Sequence, residues 1–120
     1  MRGFIRVLYV AVRNKLFIKP KAWPARRLVL SRLRELGWKV KAVEIWLGLG
    51  EPSQLALVVI FESDKGLKDF KEARLADELI EIFHARLLKS RYPTQAVPLT
   101  SITYHSQEEV NRVGWYEYFK

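Results

Sequence analysis

Arg13, Lys15, Lys19, Lys21, Arg26 and Arg27 fall within fifteen residues that contain no acid. Phe17 and Trp23 sit between them, and Arg32 and Arg34 extend the run to the first acid of the chain, Glu35. Ammonium and guanidinium groups bind phosphate oxygens, and aromatic rings set among them can stack on unpaired bases. The pattern points to nucleic acid, DNA or RNA, contacted by Arg13, Lys15, Lys19, Lys21, Trp23, Arg26, Arg27, Arg32 and Arg34. An acidic protein or an anionic membrane surface would be drawn by the same charge. The plainer reading is a solvated basic face with Phe17 and Trp23 buried in the core.

The charge is unevenly placed. Residues 1–43 carry twelve Lys/Arg and the single acid Glu35, a net of +11. Residues 44–120 carry nine Lys/Arg and twelve acids, a net of −3, which brings the whole chain to +8. Basicity packed into one end of a small domain makes a patch, and a patch attracts a polyanion.

Other constellations say less. Asp77, Glu81 and His84 share one helical face, but one helix supplies too few ligands for a metal site, and no metal is expected. Gly48-x-Gly50 is half of a dinucleotide fingerprint, yet it lies between two strands and reads as a turn. No phosphate loop, nucleophile elbow or Cys/His pair is present, and neither catalytic residues nor a cofactor are expected. Trp38 and Trp46 flank a strand and are expected in the core or an interface.

These side chains need a frame. A chain of 120 residues makes one domain with a real core. There is no Cys, so disulfides and thiol chemistry are excluded. No apolar run reaches the roughly 18–20 residues of a membrane span. The stretch between Arg6 and Arg13 is too short for a secretory signal, so a cytoplasmic location is expected. Asn, Gln and Met are scarce, which suits a thermophilic source.

Residues 4–12 (FIRVLYVAV) read as a strand and 13–23 as a basic connection broken at Pro20. Residues 25–36 read as a helix entered through Pro24 and capped by Gly37. Residues 39–47 and 54–62 form a hairpin, 67–89 one long helix, and 99–105 a further strand. Ser106 to Glu109 opens a helical turn by a capping box. Residues 113–119 form a last strand or an aromatic tail, within a C-terminal extension at 106–120.

The order β-α-β-β-α-β is the ferredoxin-like α+β plan, an antiparallel sheet with two helices on one face. Both faces of its strands look apolar, and a homodimer packed through the open face is expected to cover the second. Leu8-Tyr9-Val10 resembles the first strand of the RNA-recognition motif family. At 54–61, however, the basic residue, the glycine and both stacking aromatics of that family's octapeptide are missing, so base stacking on the sheet face is not expected. Arg13-Asn14-Lys15 after the first strand resembles the acylphosphatase loop, without its glycine-containing cradle. The apolar sheet is similar in kind to that of dimeric α+β barrels, which implies an alternative: a small-molecule-binding or catalytic dimer with a pocket near Tyr9, Glu44, Tyr104 and His105. A third possibility is a structural subunit docking on an acidic partner.

Overall fold

A computed structural model describes residues 13 and 17–118; the strand expected at 4–12 lies outside them. Helix α1 spans Lys19–Glu35, six residues earlier than the sequence suggested. Pro20 does not break it, because a first-turn residue needs no amide hydrogen. Pro24 lies inside the helix and gives up one backbone bond. Packing compensates: Ala22, Ala25, Val29 and Leu33 form a fully buried stripe. At the other end Gly37, at φ 86°, takes the left-handed position. Its N–H donates to Arg34, and that of Trp38 donates to Leu33, both at 3.0 Å. This pair of bonds closes the helix and turns Trp38 into the core, edge-on to Phe61 and Phe70.

Strands β1 (Val40–Leu47) and β2 (Leu55–Phe61) form the expected antiparallel hairpin, with Val43 opposite Val59 and Ile45 opposite Leu57. Beyond β2 the sequence reading needs correction. In place of one helix over 67–89 there are two, α2 (Asp64–Glu72) and α3 (Ala76–Lys89). The break falls at Arg74, a non-glycine residue with φ 56°. It redirects the chain, so that Phe70 of α2 packs beside Phe61 while Leu79, Phe83 and Leu87 of α3 join the α1 stripe in one core. A single straight helix would have served only one of these contacts.

Strand β3 (Ser101–Ser106) then pairs with β2 in parallel, with Leu57 opposite Ile102 and Val59 opposite Tyr104. The described sheet is therefore mixed, in the order β1-β2-β3. The ferredoxin-like plan would seat the first strand between β2 and β3, and that slot does not exist here. The fold is α+β, and its described part does not follow the ferredoxin-like order. The short helix α4 (Gln107–Val113) follows, its first turn capped by the Ser106 hydroxyl as expected. Trp115–Tyr118 form a helical turn, α5, where a strand or tail was anticipated.

The hydrophobic core lies between the sheet and α1, α2 and α3. The opposite sheet face carries Glu44 and Trp46 on β1, Val58 and Ile60 on β2, and Thr103 and His105 on β3, as the registers dictate. Val58 and Ile60 are already 3% and 0% exposed within a single chain. Tyr118 lies against His105, its hydroxyl 2.9 Å from Nδ1, so the C-terminal turn reaches this face in its own chain. Among the described residues no helix is long and apolar enough to cross a membrane.

Candidate nucleic-acid interface

Starting α1 at Lys19 fixes where its cations point. At about 3.6 residues per turn, positions 19, 23, 26, 27 and 34 fall on one flank, while 21 and 32 fall on the other. The first flank faces β1, which lies at the edge of the sheet among the described residues. Arg26 makes the link: its Nε donates to the Val43 carbonyl at 2.6 Å. Lys19, Trp23, Arg26 and Arg27 on the helix and Val43, Glu44 and Ile45 on the strand line a hollow of about 490 Å³. A second hollow of about 360 Å³ continues it past Lys19 and Ile45 to Trp46, Leu47 and Gly48. The two form one groove along the α1–β1 seam. Arg34 is exposed two turns beyond Arg27 and extends the cationic line past the groove.

The other flank is spent on structure. Arg32 reaches α3, where Nη2 and Nε donate to Glu78 Oε1 at 2.9 and 3.1 Å, and it also pairs with Glu35 at 3.4 Å. The Glu78 carboxylate raises the Arg32 pKa above its ordinary value. Lys21 is half-buried on that same side. Arg13 donates from Nη2 to the Gly50 carbonyl at 2.9 Å, which ties it to the hairpin turn. Lys15 lies outside the described residues. Of the nine expected contacts, the structure brings Lys19, Trp23, Arg26 and Arg27 together, sets Arg34 in line with them, and directs Arg13, Lys21 and Arg32 elsewhere.

The aromatic residues depart from the plainer expectation. Trp23 is 53% exposed and Phe17 57%, so neither is a core residue. Trp46 was expected in the core or an interface; at 36% exposed it is not a core residue, and its indole N–H donates to Glu44 Oε2 at 3.3 Å. The signal was present in the strand itself, where Trp46 shares its face with Glu44 and alternates with core-facing Val43, Ile45 and Leu47.

A larger hollow, about 730 Å³, lies between α2 and α4 and is built differently. Ser106 Oγ donates to the Asp64 carboxylate while accepting from the Glu109 amide, and Glu108 Oε1 accepts from the Asp64 amide at 2.9 Å. Arg112 bridges Asp64, at 2.8 Å, and Glu109. The Arg112 and Ser106 hydrogen bonds hold the Asp64 carboxyl below the usual carboxylate range. Each strong charge in this cluster has a partner, so the cluster clamps two helix starts to each other. Lys68, Lys71 and Arg74 stand at its rim.

The residues named for a small-molecule pocket do not converge. The Tyr104 ring packs 4.7 Å from Phe70, and its hydroxyl is buried without a hydrogen bond. Burial drives its pKa well above the usual phenol range. His105 lies on the other sheet face, between Thr103 and Tyr118 at 2.9 Å each, and burial, helped by Lys71, lowers its pKa. Glu44 lines the α1–β1 groove, and Tyr9 lies outside the described residues. His84 Nε2 donates to the Thr100 carbonyl at 3.2 Å. Among the described residues no group of three His, Asp or Glu side chains is placed to hold a metal ion.

Comparison with protein-family models, with curated proteins and with solved structures finds no match for this chain. The functional reading rests on the site's own chemistry.

Proposed function

We propose that this domain binds nucleic acid, without catalysing a reaction on it, through the flank of α1 that faces β1. The observation that carries the reading is the groove in which Lys19, Arg26 and Arg27 surround an exposed Trp23. Among the described residues no acid pairs with Lys19, Arg27 or Arg34, and Glu44 is the one carboxylate in the groove lining. Unpaired cations beside an exposed ring suit a polymer that offers phosphates and bases together. An acidic protein surface would use the cations and leave the indole without a role.

Phosphate contact would dominate, so affinity should fall steeply with salt, by roughly 0.9 log units per log unit of salt for each phosphate neutralised on a duplex. Little sequence preference follows, because phosphates carry no sequence information. The test is a fluorescence-anisotropy titration of labelled oligonucleotides across a salt series, with wild type and an Arg27→Glu, Arg34→Glu variant. Arg26 is left intact because it also holds the helix to Val43. Binding that steepens with falling salt and disappears in the variant supports the reading. Equal binding by both proteins, or none at low salt, contradicts it.

A further inference from the structure

We infer that the hollow between α2 and α4 is a second binding site, for a small organic phosphomonoester whose phosphate is held by Lys68, Lys71 and Arg74. This site is separate from the α1–β1 groove and does not depend on the nucleic-acid reading.

The first ground is charge that the fold leaves over. Lys68, Lys71, Arg74 and Arg112 line the hollow, and Arg112 is spent on Asp64 and Glu109. Lys68 and Lys71 are exposed on α2, and Arg74 is exposed just past its end. Among the described residues none of these three takes part in an ion pair. Like charges on one wall repel, and an anion set between them removes the repulsion. Of the lining carboxylates Asp64, Glu72 and Glu109, Arg112 holds the first and the last, which leaves Glu72. Three positive charges against that one negative charge leave +2 among the described residues. A phosphomonoester carries about −1.5 to −2 near neutral pH, which matches it.

The second ground is Arg74 itself. Its backbone is left-handed at φ 56°, a conformation unfavourable for arginine and open to glycine. The turn from α2 to α3 would form more easily with glycine. What arginine adds is a guanidinium in the lining of the hollow, a planar fork that can meet two phosphate oxygens at once. Backbone strain kept at a lining residue marks a side chain retained for function.

The third ground is size and the placement of the carboxylates. The hollow measures about 730 Å³, within the range of roughly 300–1,000 Å³ of small-molecule sites. Phosphate alone would fill a small part of it, and Leu67 and Tyr118 in the lining offer a surface to an uncharged organic body. Ser106, Glu108 and Arg112 tie the start of α2 to α4, so the walls are set before a ligand arrives. A polymer would carry further phosphates past Asp64, Glu72 and Glu109. A monoester places its single phosphate on the cationic wall, so the carboxylates that repel a polyanion admit a small ligand.

Isothermal titration calorimetry with phenyl phosphate and with inorganic phosphate tests the site. Wild type, Lys68→Gln with Lys71→Gln, Arg74→Gly, and the Arg27→Glu, Arg34→Glu variant are compared, each confirmed as folded by circular dichroism. Phenyl phosphate should bind wild type at least about tenfold more tightly than inorganic phosphate. The double lysine change should weaken phenyl phosphate by at least about tenfold. Arg74→Gly should weaken it several-fold while raising the urea midpoint, a split that a purely structural role would not give. The groove variant should bind phenyl phosphate as wild type does. No binding at millimolar phenyl phosphate, or binding unmoved by the changes at Lys68, Lys71 and Arg74, overturns the inference. Loss in the groove variant alone places the ligand in the α1–β1 groove and also overturns it. Equal affinity for inorganic phosphate overturns the organic ligand. None of these results bears on the nucleic-acid reading, whose test uses oligonucleotides and the groove residues.

Discussion

Arg27 and Arg112 are both exposed arginines on helices, each beside a hollow. Arg112 meets two carboxylates, Asp64 and Glu109, within a cluster that also caps both helix starts. No carboxylate partner meets Arg27 among the described residues, and its neighbours in the groove are Lys19, Trp23 and Arg26. The cation inside the larger hollow's cluster is therefore already satisfied, and the hollow's other cations, Lys68, Lys71 and Arg74, share its lining with three carboxylates, Asp64, Glu72 and Glu109, against the single Glu44 of the groove. Cavity size says little about where a polyanion would bind; the decisive quantity is charge not already committed to the fold. Within α1 the same contrast appears between flanks, since Arg32 is held by Glu78 and Arg27 is not.

The contrast can be broken or sharpened experimentally. The largest effect should come from reversing the uncommitted charges. Lys19→Glu with Arg27→Glu and Arg34→Glu should lower nucleic-acid affinity by two orders of magnitude or more, since about three phosphate contacts vanish and three repulsions appear. Its thermal midpoint should stay close to wild type. Loss of the fold instead would place these residues with Arg112.

The converse variant is Ser106→Ala. It removes the cap of α4 and the hydroxyl that donates to Asp64, and should cost about 1–2 kcal/mol in urea unfolding. Oligonucleotide affinity should not change. A loss of affinity without a loss of stability would move the binding site to the α2–α4 hollow. Arg26→Ala belongs to both classes. It should weaken binding several-fold and also lower stability by up to about 1 kcal/mol, because the bond to the Val43 carbonyl is lost.

Acid should weaken the clamp at Asp64. The Asp64 carboxyl is held below its unfolded pKa, so its contribution is complete above about pH 4 and is lost as pH falls through the lower folded value. His105 is also lowered in the fold, by burial first, so its contribution is complete above about pH 6.5 and fades as the pH drops below that. Urea midpoints followed from pH 8 to pH 3 should fall in two stages, with Asp64→Asn removing the lower one. A single stage in wild type would contradict the assignment. The smallest effect concerns the break between α2 and α3: Arg74→Gly relieves a left-handed backbone and should stabilise by about 0.5 kcal/mol.

Much of this was legible in the residues. Alternation in 39–47 and 54–62 located the hairpin, and Gly37 marked the end of α1, because these are local patterns with local causes. The start of α1 was not legible, because two prolines in six residues argue against a helix until the buried stripe Ala22, Ala25, Val29 and Leu33 is known to have a partner in α3. That misplacement hid the site. With Lys19, Lys21 and Trp23 read as a connection, helical periodicity could not separate the groove flank from the Arg32 flank. The parallel pairing of β3 with β2 was likewise invisible, since LTSITYH carries no mark of its neighbour and the choice is made by how α2 and α3 pack. The split at Arg74 lacks both Gly and Pro, the usual breakers, and only the acids Asp77 and Glu78 hint at a fresh helix start.

The central claim is that nucleic acid meets the α1–β1 groove and not the clamped α2–α4 hollow. Ultraviolet cross-linking of a bound oligonucleotide, followed by mass-spectrometric identification of the attached peptides, reads that location directly. The account expects adducts within residues 17–30 and 40–48, concentrated at Trp23. Adducts confined to residues 64–74 and 106–118 would contradict it.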